Sequence, residues 1–271
     1  SKGDNEGRWL TDLDVSYRYD FVSDKSDSLI NRKDIVDLSE VSALINFGNN
    51  RWSNNIFKIS TIASKRAPGI TTAYWVTTGN NIKFPSLQQQ ISQIAFLNPD
   101  QRVLQPERMK SLEVGINLLT EPKSMENIDQ MELQASIFRN DYINKMRSTF
   151  LLGMPIAYFE NITLATMSGL ELKAKAKTYE GKFTGEIGLS NYNISDMSAF
   201  PFKSAFKLTI NTTSKWSAFT FGARFYQEGE QVGLILVPEK GFNEIELPAF
   251  SNYDLHLTVD VNLGFGKGQI S

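Results

Sequence analysis

The sequence predicts an all-β protein, a transmembrane antiparallel up-and-down β-barrel, and three observations support that fold class. Stretches of the chain alternate apolar and polar residues, as in a strand with one face in lipid and the other in a wet lumen. The linkers between these stretches alternate short and long, as when tight turns and loops lie on opposite sides of a membrane. Each stretch also exceeds the ~9–11 residues that a tilted strand needs to cross a bilayer.

The strands are placed from the spacing of these stretches and from the turn residues between them. About ten strands are predicted, near 7–21, 37–47, 55–66, 109–120, 129–145, 165–178, 182–192, 202–213, 217–228 and 250–265. The short connections are 48–53, 121–128, 180–181, 214–216 and 266–268. The long connections are 22–36, 67–108, 146–164, 193–201 and 229–249.

Strand length separates the barrel from a β-sandwich, which would also alternate apolar and polar residues. In the strand near 109–120, Leu112, Val114 and Ile116 share one face and Glu113 lies on the other. The strand near 250–265 alternates in the same way from Tyr253 onward. Strands of a sandwich are usually ~5–6 residues long, so stretches of this length favour the barrel.

Composition excludes several other classes of protein. The 271 residues include 28 basic and 30 acidic side chains, so the net charge of −2 predicts no nucleic-acid partner. No run of 18 apolar residues is present, which excludes transmembrane helices. Without cysteine, the chain has no disulfides, thiolate metal sites or cysteine nucleophiles.

The end of the chain predicts that the barrel is incomplete. The sequence stops at Ser271, just after a short turn and where a further strand is expected. An open strand edge in lipid would leave backbone groups unpaired at high cost. We therefore expect residues 1–271 to be a portion of one transmembrane barrel domain.

Five ordered segments carry a resemblance to a known family. They are Ile59–Pro68, Asn98–Glu107, Glu113–Gly115, Phe138–Asn144 and Ser168–Leu172. Their order along the chain is similar to that in the C-terminal half of the barrel of TonB-dependent outer-membrane receptors. Two departures are Lys65, where the family has an aromatic residue, and an insertion at 101–103.

The resemblance implies a roughly 22-stranded barrel with an N-terminal plug, of which this chain would supply about strands 11 to 20. It implies a receptor in the outer membrane of a Gram-negative bacterium, with short turns in the periplasm and long loops outside. The implied function is uptake of a scarce ligand, such as a siderophore, a corrinoid, a glycan or a peptide. The implied partners are outer-membrane lipid, that ligand, TonB through a plug outside this chain, and a lipoprotein cap.

The loop predicted at 67–108 is the candidate ligand-binding segment, since long ordered loops often carry binding residues. Its candidate contacts are Tyr74, Trp75, Phe84 and Phe96, set among Thr, Asn and Gln residues. Aromatic rings beside amide side chains suit stacking on a sugar or a flat chelate. The alternative interpretation is that these rings anchor the loop to its neighbours.

No catalytic, metal or cofactor site is predicted. His256 is the single histidine, and its neighbour Asp254 merely shares its strand face. The row Lys173, Lys175 and Lys177 is interpreted either as an anion-attracting stripe or as partners for acidic residues on adjacent strands or on the plug. A non-transporting barrel or adhesin remains the alternative function, and an outer-membrane enzyme is disfavoured because no site for it is found.

Overall fold

The chain forms a β-sheet whose strands follow one another in sequence order. The computed structural model describes residues 7–24, 50–86, 89–90, 104–122, 127–151, 157–237, 241–262 and 267–270. The strands are β1 (Trp9–Asp24), β2 (Asn50–Ala67), β3 (Ile70–Lys83), β4 (Glu107–Thr120), β5 (Ile128–Leu151), β6 (Ala157–Thr178), β7 (Phe183–Ile194), β8 (Phe206–Trp216), β9 (Phe219–Glu228), β10 (Gln231–Val237), β11 (Gly241–Leu247), β12 (Phe250–Asn262) and β13 (Lys267–Ile270). A single-turn 3₁₀ helix, Met197–Ala199, lies between β7 and β8.

The order of strands in the sheet confirms the up-and-down prediction. Strands β1 to β9 pair in sequence order, and β12 and β13 continue the same sheet. All of these pairs are antiparallel. Among the described residues, β1 and β13 form the two edges, so the sheet does not close on itself there.

Tight turns lie at one end of the sheet. Pro68 and Gly69 join β2 to β3, and Gly69 has a φ of +72°, which glycine adopts without strain. The predicted turn at Glu180–Gly181 is confirmed. The predicted turn at 214–216 is wrong by about three residues, because β8 and β9 remain paired as far as Trp216 opposite Phe219.

Longer connections lie at the opposite end, which confirms the two-sided arrangement. Residues 25–49, 84–106, 195–205 and 229–249 all link strands there. The predicted strand 37–47 lies outside the described residues. Within the described part of the chain, β1 pairs directly with β2 over sixteen residue pairs, from Trp9 opposite Lys65 to Asp24 opposite Asn50.

That direct pairing corrects two further predictions near the start of the chain. Residues 50–53 are not a short turn, since they begin β2 at the long-connection end. The predicted loop 67–108 contains β3, which pairs with β2 on one side and β4 on the other. The run Ile70–Lys83 was missed because Thr, Asn and Gly residues hide its alternation.

Two of the other predicted loops also contain strands. Most of the predicted loop 146–164 belongs to β5 and β6, which stay paired as far as Phe150 opposite Ala157. The predicted loop 229–249 folds as the β10–β11 hairpin. At its far end β10 pairs in parallel with the tip of β5, Ile235 opposite Phe150. Of the turn expected at 266–268, residues 267 and 268 instead belong to β13, which begins at Lys267.

The register separates the sheet into an apolar face and a polar face. Residues directly opposite each other on neighbouring strands share a face, so an apolar row continues from strand to strand. Pairs on this face are Tyr17 with Phe57, Val76 with Val114, Val114 with Ile137, Ile137 with Leu170, Leu172 with Leu189, Ile210 with Phe225, and Phe225 with Tyr253. Such a row is suited to lipid, and the opposite face to a wet lumen.

Among the described residues, no helix has the length and apolar character needed to cross a membrane. Ala165, Ala199 and Phe200 form a small buried apolar cluster near the long-connection end, and other described apolar residues that are buried are Ile82, Leu104, Met146, Tyr192 and Leu234. Tyr142, Ile162, Met167 and Ile194 pack against that cluster.

Candidate functional site: the polar face and the outer unit

Rings on the polar face lie against glycines of neighbouring strands. Trp75 of β3 is directly opposite Gly115 of β4, and a Cβ at Gly115 would lie 2.1 Å from the indole ring. His256 lies opposite Gly222 in the same way, with 1.8 Å to an added Cβ. These glycines are required because the rings occupy the space of a side chain. The packing gives the single histidine a structural role.

A third glycine of this kind, Gly169, lies between Tyr192 and Phe138. An added Cβ would lie 2.6 Å from the Tyr192 ring and 2.7 Å from a backbone oxygen of Asn191. The two rings meet edge to face, with centroids 5.7 Å apart. Aromatic packing therefore braces the polar face where β5, β6 and β7 meet.

A cavity of about 260 Å³ opens on the polar face across β5 to β9. Its lining includes Glu171, Lys173, Glu186, Lys207, Thr209 and Tyr226. Lys173 Nζ lies 3.3 Å from Glu186 Oε1, which agrees with the interpretation that the lysine row pairs with acidic neighbours. The lining carries both signs of charge, so the cavity suits a ligand with several polar groups more than a simple ion.

Lys207, Glu228 and Tyr226 form a connected group at the long-connection end of the cavity. Lys207 Nζ lies 2.7 Å from Glu228 Oε1. The Tyr226 hydroxyl donates a hydrogen bond to Glu228 Oε2. The side chain of Glu228 is 9% exposed and has both oxygens engaged, so it holds a lysine and a tyrosine in place at the cavity wall.

Glu171 and Tyr192 form a second polar pair beside this group. Glu171 accepts a 2.8 Å hydrogen bond from the Tyr192 hydroxyl. Lys203 lies over the Tyr192 ring at 4.4 Å from the centroid. Burial lowers the pKa of Lys203, and the neighbouring Lys207 lowers it further, while Glu171 and Glu228 oppose both effects.

Beyond the cavity, a group of segments that we name the outer unit packs at the long-connection end. It consists of residues 104–107, 142–151, 157–167, 195–205, 231–237 and 241–247. Its central contact is an ion pair between Lys145 Nζ and Glu107 Oε2 at 3.0 Å, with side-chain exposures of 16% and 9%. Glu107 also accepts a hydrogen bond from the Met146 amide at 2.9 Å, so β4 and β5 are fastened together there.

Side chains and backbone groups connect the rest of the outer unit. Arg147 donates to Glu160 at 2.6 Å and to the Ser198 hydroxyl at 2.7 Å, which joins β5, β6 and the 3₁₀ helix. Asn161 bridges two backbone segments through Gln105 and Asn144. The Phe202 amide donates to the Val232 carbonyl at 2.8 Å and so attaches β10.

The four aromatic candidates occupy different positions and do not form one loop site. Tyr74 and Trp75 lie on β3, not in a loop, and they point to opposite faces. Tyr74 is on the apolar face beside Trp9, with ring centroids 5.9 Å apart. Trp75 is on the polar face, where its indole nitrogen donates to Glu113 at 3.1 Å.

Phe84 follows β3 at the long-connection end and stacks on Trp52, with ring centroids 6.3 Å apart. Phe96 lies outside the described residues. The predicted residues therefore include one aromatic ring of the polar face, Trp75, and one near its rim, Phe84.

Lys207, Tyr226 and Glu228 were not predicted as site residues. Alternation on β8 and β9 signals that they face away from the apolar side. Their mutual contacts depend on the β8–β9 register, in which Lys207 is opposite Glu228. Within the described part of the chain, no group of three or more His, Asp or Glu residues is arranged to hold a metal ion.

An up-and-down antiparallel sheet with one apolar and one polar face defines the wall of a transmembrane β-barrel. Residues 5–268 match the family model described as TonB dependent receptor-like, beta-barrel. The chain therefore belongs to the TonB-dependent receptor family and is part of its barrel.

Two solved structures with a similar fold have low sequence identity to this chain. The copper transporter OprC has 14% identity and a TM-score of 0.54, over 80% of this chain and 33% of that one. The FrpB iron transporter from Neisseria meningitidis (F3-3 variant) has 12% identity and a TM-score of 0.53, over 94% of this chain and 46% of that one. The chain thus spans a third to a half of these proteins. A comparison with curated proteins found no match.

Proposed function

We propose that this chain forms part of the wall of a receptor in the outer membrane of a Gram-negative bacterium, and that the receptor takes up a scarce ligand. The main observation that supports this proposal is the polar face. It continues across β1 to β9 and β12 and contains the cavity beside Lys207 and Tyr226. A wall with a purely structural role does not need a cavity in which charged side chains are held in place. A wall along which a ligand passes does need such a cavity.

The ligand is expected to meet the outer unit first and the polar face second. The outer unit is held by partly buried ion pairs and by hydrogen bonds from side chains to the backbone, so it presents a fixed surface. Trp75 and Phe84 are the aromatic candidates best placed for contact, with Phe96 a further candidate. Tyr74 lies beside Trp9 near the tight-turn end, where aromatic rings suit the lipid–water interface.

The mixed charges of the cavity fit a ligand with several polar groups, and the proposed classes are a siderophore, a corrinoid, a glycan or a peptide. TonB is the proposed energy-coupling partner, through a plug that is not in this chain. A surface lipoprotein over the outer unit is a further proposed partner.

Uptake is tested with the full-length receptor in cells that lack other receptors for the same probes. The radiolabelled probes are a ferric hydroxamate, a cobalamin, an oligosaccharide and an oligopeptide. We expect one probe to accumulate saturably and to stop accumulating when TonB is deleted. Surface binding without accumulation would instead indicate an adhesin, and accumulation that does not need TonB would indicate a passive pore.

A matched pair of tryptophan variants tests whether the polar face takes part. Trp75→Ala removes a ring from the polar face, whereas Trp216→Ala removes a ring that is 77% exposed on the apolar face at the tight-turn end. We expect only Trp75→Ala to lower uptake of the active probe. Equal uptake by both variants and the parent would exclude Trp75 as a ligand contact.

A further inference from the structure

The apolar face changes character abruptly towards the long-connection end of β4, β5 and β6. Leu112, Ile137 and Leu170 are the last apolar residues of the band that begins near the tight turns. The next outward positions carry basic side chains, Lys110 and Arg139. The boundary between lipid tails and head groups is expected where this band ends.

Three cations lie close together at this boundary. The register sets Arg139 opposite Leu112, Lys110 opposite Asp141, and Arg108 opposite Ile143. Positions two apart on one strand face, and diagonal positions on neighbouring strands, are separated by roughly 7–8 Å. Arg108, Lys110 and Arg139 therefore form one basic patch, which we name the boundary patch.

The boundary patch is exposed and keeps free hydrogen-bond donors. Arg108 and Lys110 are exposed and form no ion pair or hydrogen bond with the described residues. The side chain of Arg139 is 64% exposed, and its Nε donates to both oxygens of Asp141 at 3.1 and 3.2 Å. Its two terminal nitrogens have no partner among the described residues. Asp141 therefore orients the guanidinium group and leaves these two nitrogens available to donate hydrogen bonds.

Asp141 offsets part of the positive charge, and it also accepts a hydrogen bond from another strand. It accepts a hydrogen bond from the Thr166 hydroxyl at 2.9 Å in addition to the Arg139 contact. The patch then has three cations and one carboxylate that is already hydrogen-bonded on the protein side. Ser168 lies directly opposite Arg139 and adds a hydroxyl group on the same face.

The patch does not begin a generally polar surface. Ile143 lies directly opposite Arg108, and Leu164 lies opposite Ile143, so two apolar side chains that are 39% and 68% exposed are level with the outermost cation. On the other face of the same strands, Glu107 and Lys145 are already packed within the outer unit. The cations therefore lie on the face that meets the membrane and not on the face that carries the proposed ligand site.

We propose that the boundary patch binds the anionic phosphate groups of lipid head groups in the leaflet on the long-connection side. Guanidinium groups bind phosphate through two parallel hydrogen bonds, and Lys110 adds a point charge beside them. The apolar band directly below would contact the acyl chains of the same lipid. The proposal rests on the membrane placement given under Proposed function and does not depend on which ligand is taken up.

The test uses the full-length receptor in nanodiscs of phosphatidylcholine doped with a spin-labelled bisphosphorylated glucosamine lipid. The variants are Lys110→Gln and the double change Arg108→Gln with Lys110→Gln, since neither residue supports the fold. The control is Lys58→Gln, an exposed lysine on the polar face. Protein-bound spin label reports the preference for the anionic lipid over phosphatidylcholine.

We expect the preference to fall about fivefold for each cation removed, since a basic residue near an anionic surface contributes about that factor. The Lys58→Gln control should keep the parental preference. Equal preference in all four proteins would overturn the proposal, and so would displacement of the lipid by millimolar inorganic phosphate, which would indicate a site for the free ion. Uptake of the active probe is measured in parallel, so that failure of lipid binding is distinguished from failure of the transport proposal.

Discussion

Strands β5 and β6 belong to two regions of the molecule that are stabilised in different ways. Between Met131 and Ile137, β5 alternates strictly, with one face apolar and the other polar. Beyond Tyr142 the same strand enters the outer unit, where Met146 and Thr149 are buried and Lys145 and Arg147 form ion pairs. The membrane-spanning residues are therefore stabilised by contact with lipid on one face of the sheet. The outer-unit residues are stabilised by contact with protein on both faces.

This difference predicts which changes each region tolerates. A charge on the apolar face is costly because lipid cannot solvate it. A change in the outer unit is costly when it leaves a buried polar group without its partner. Changes on the polar face are tolerated unless they displace a ring that lies against a glycine.

The largest effect is expected from a charge placed in the apolar band. Val76 and Thr77 are consecutive residues on opposite faces of β3. Val76→Arg should lower the free energy of unfolding by about 2–4 kcal/mol, as expected for arginine near the bilayer midplane. Thr77→Arg is the control, since it places the same charge on the polar face beside Glu113. Denaturant titration in lipid vesicles measures both, and equal losses would contradict the assignment of the faces.

A smaller, local effect is expected in the outer unit. Glu107→Gln keeps the acceptor for the Met146 amide but removes the charge opposite Lys145, which should cost about 1–3 kcal/mol. Hydrogen exchange should rise in residues 142–151 and stay unchanged in 131–139. Asp20→Asn is the control, because its partner Arg18 is 66% exposed and such pairs contribute little. A uniform rise along β5 would show that the two regions are not separate.

The polar face is tested at a glycine that faces a ring. Gly115→Ala should cost about 1–2 kcal/mol, because Trp75 must move and give up its bond to Glu113. Gly185→Ala is the matched control, since the nearest atom to an added Cβ there is 3.5 Å away. Thermal unfolding in detergent compares the two variants. If both are equally stable, the indole does not hold the position described.

The smallest effect is expected at Thr149. Its hydroxyl is fully buried and has no hydrogen-bond partner among the described residues. Thr149→Val removes that unsatisfied group at nearly constant size, so stability should be unchanged or rise by up to about 1 kcal/mol. A clear loss of stability, measured by the same hydrogen exchange of residues 142–151, would reveal a partner for the hydroxyl.

The sequence alone predicted the parts of the fold in which one face meets lipid. Alternation over 109–120, 182–192 and 217–228 located β4, β7 and β9 to within about two residues at each end. The turn at Glu180–Gly181 was equally visible. In these segments one face must be apolar because it meets the membrane, so apolar and polar residues alternate in the sequence.

Other strands and contacts could be identified only from the tertiary structure, because the alternation of apolar and polar residues does not predict them. Strand β3, the extensions of β5 and β6, and the β10–β11 hairpin were predicted as loops, because pairing between strands stabilises them without a regular apolar row. The Lys207–Glu228 and Glu107–Lys145 pairs join residues 21 and 38 positions apart. Such contacts follow from the register between two paired strands, and the residue pattern of one strand alone does not specify that register. The sequence by itself therefore determined the membrane wall and its two faces, while the fold determined what lines the cavity and builds the outer unit.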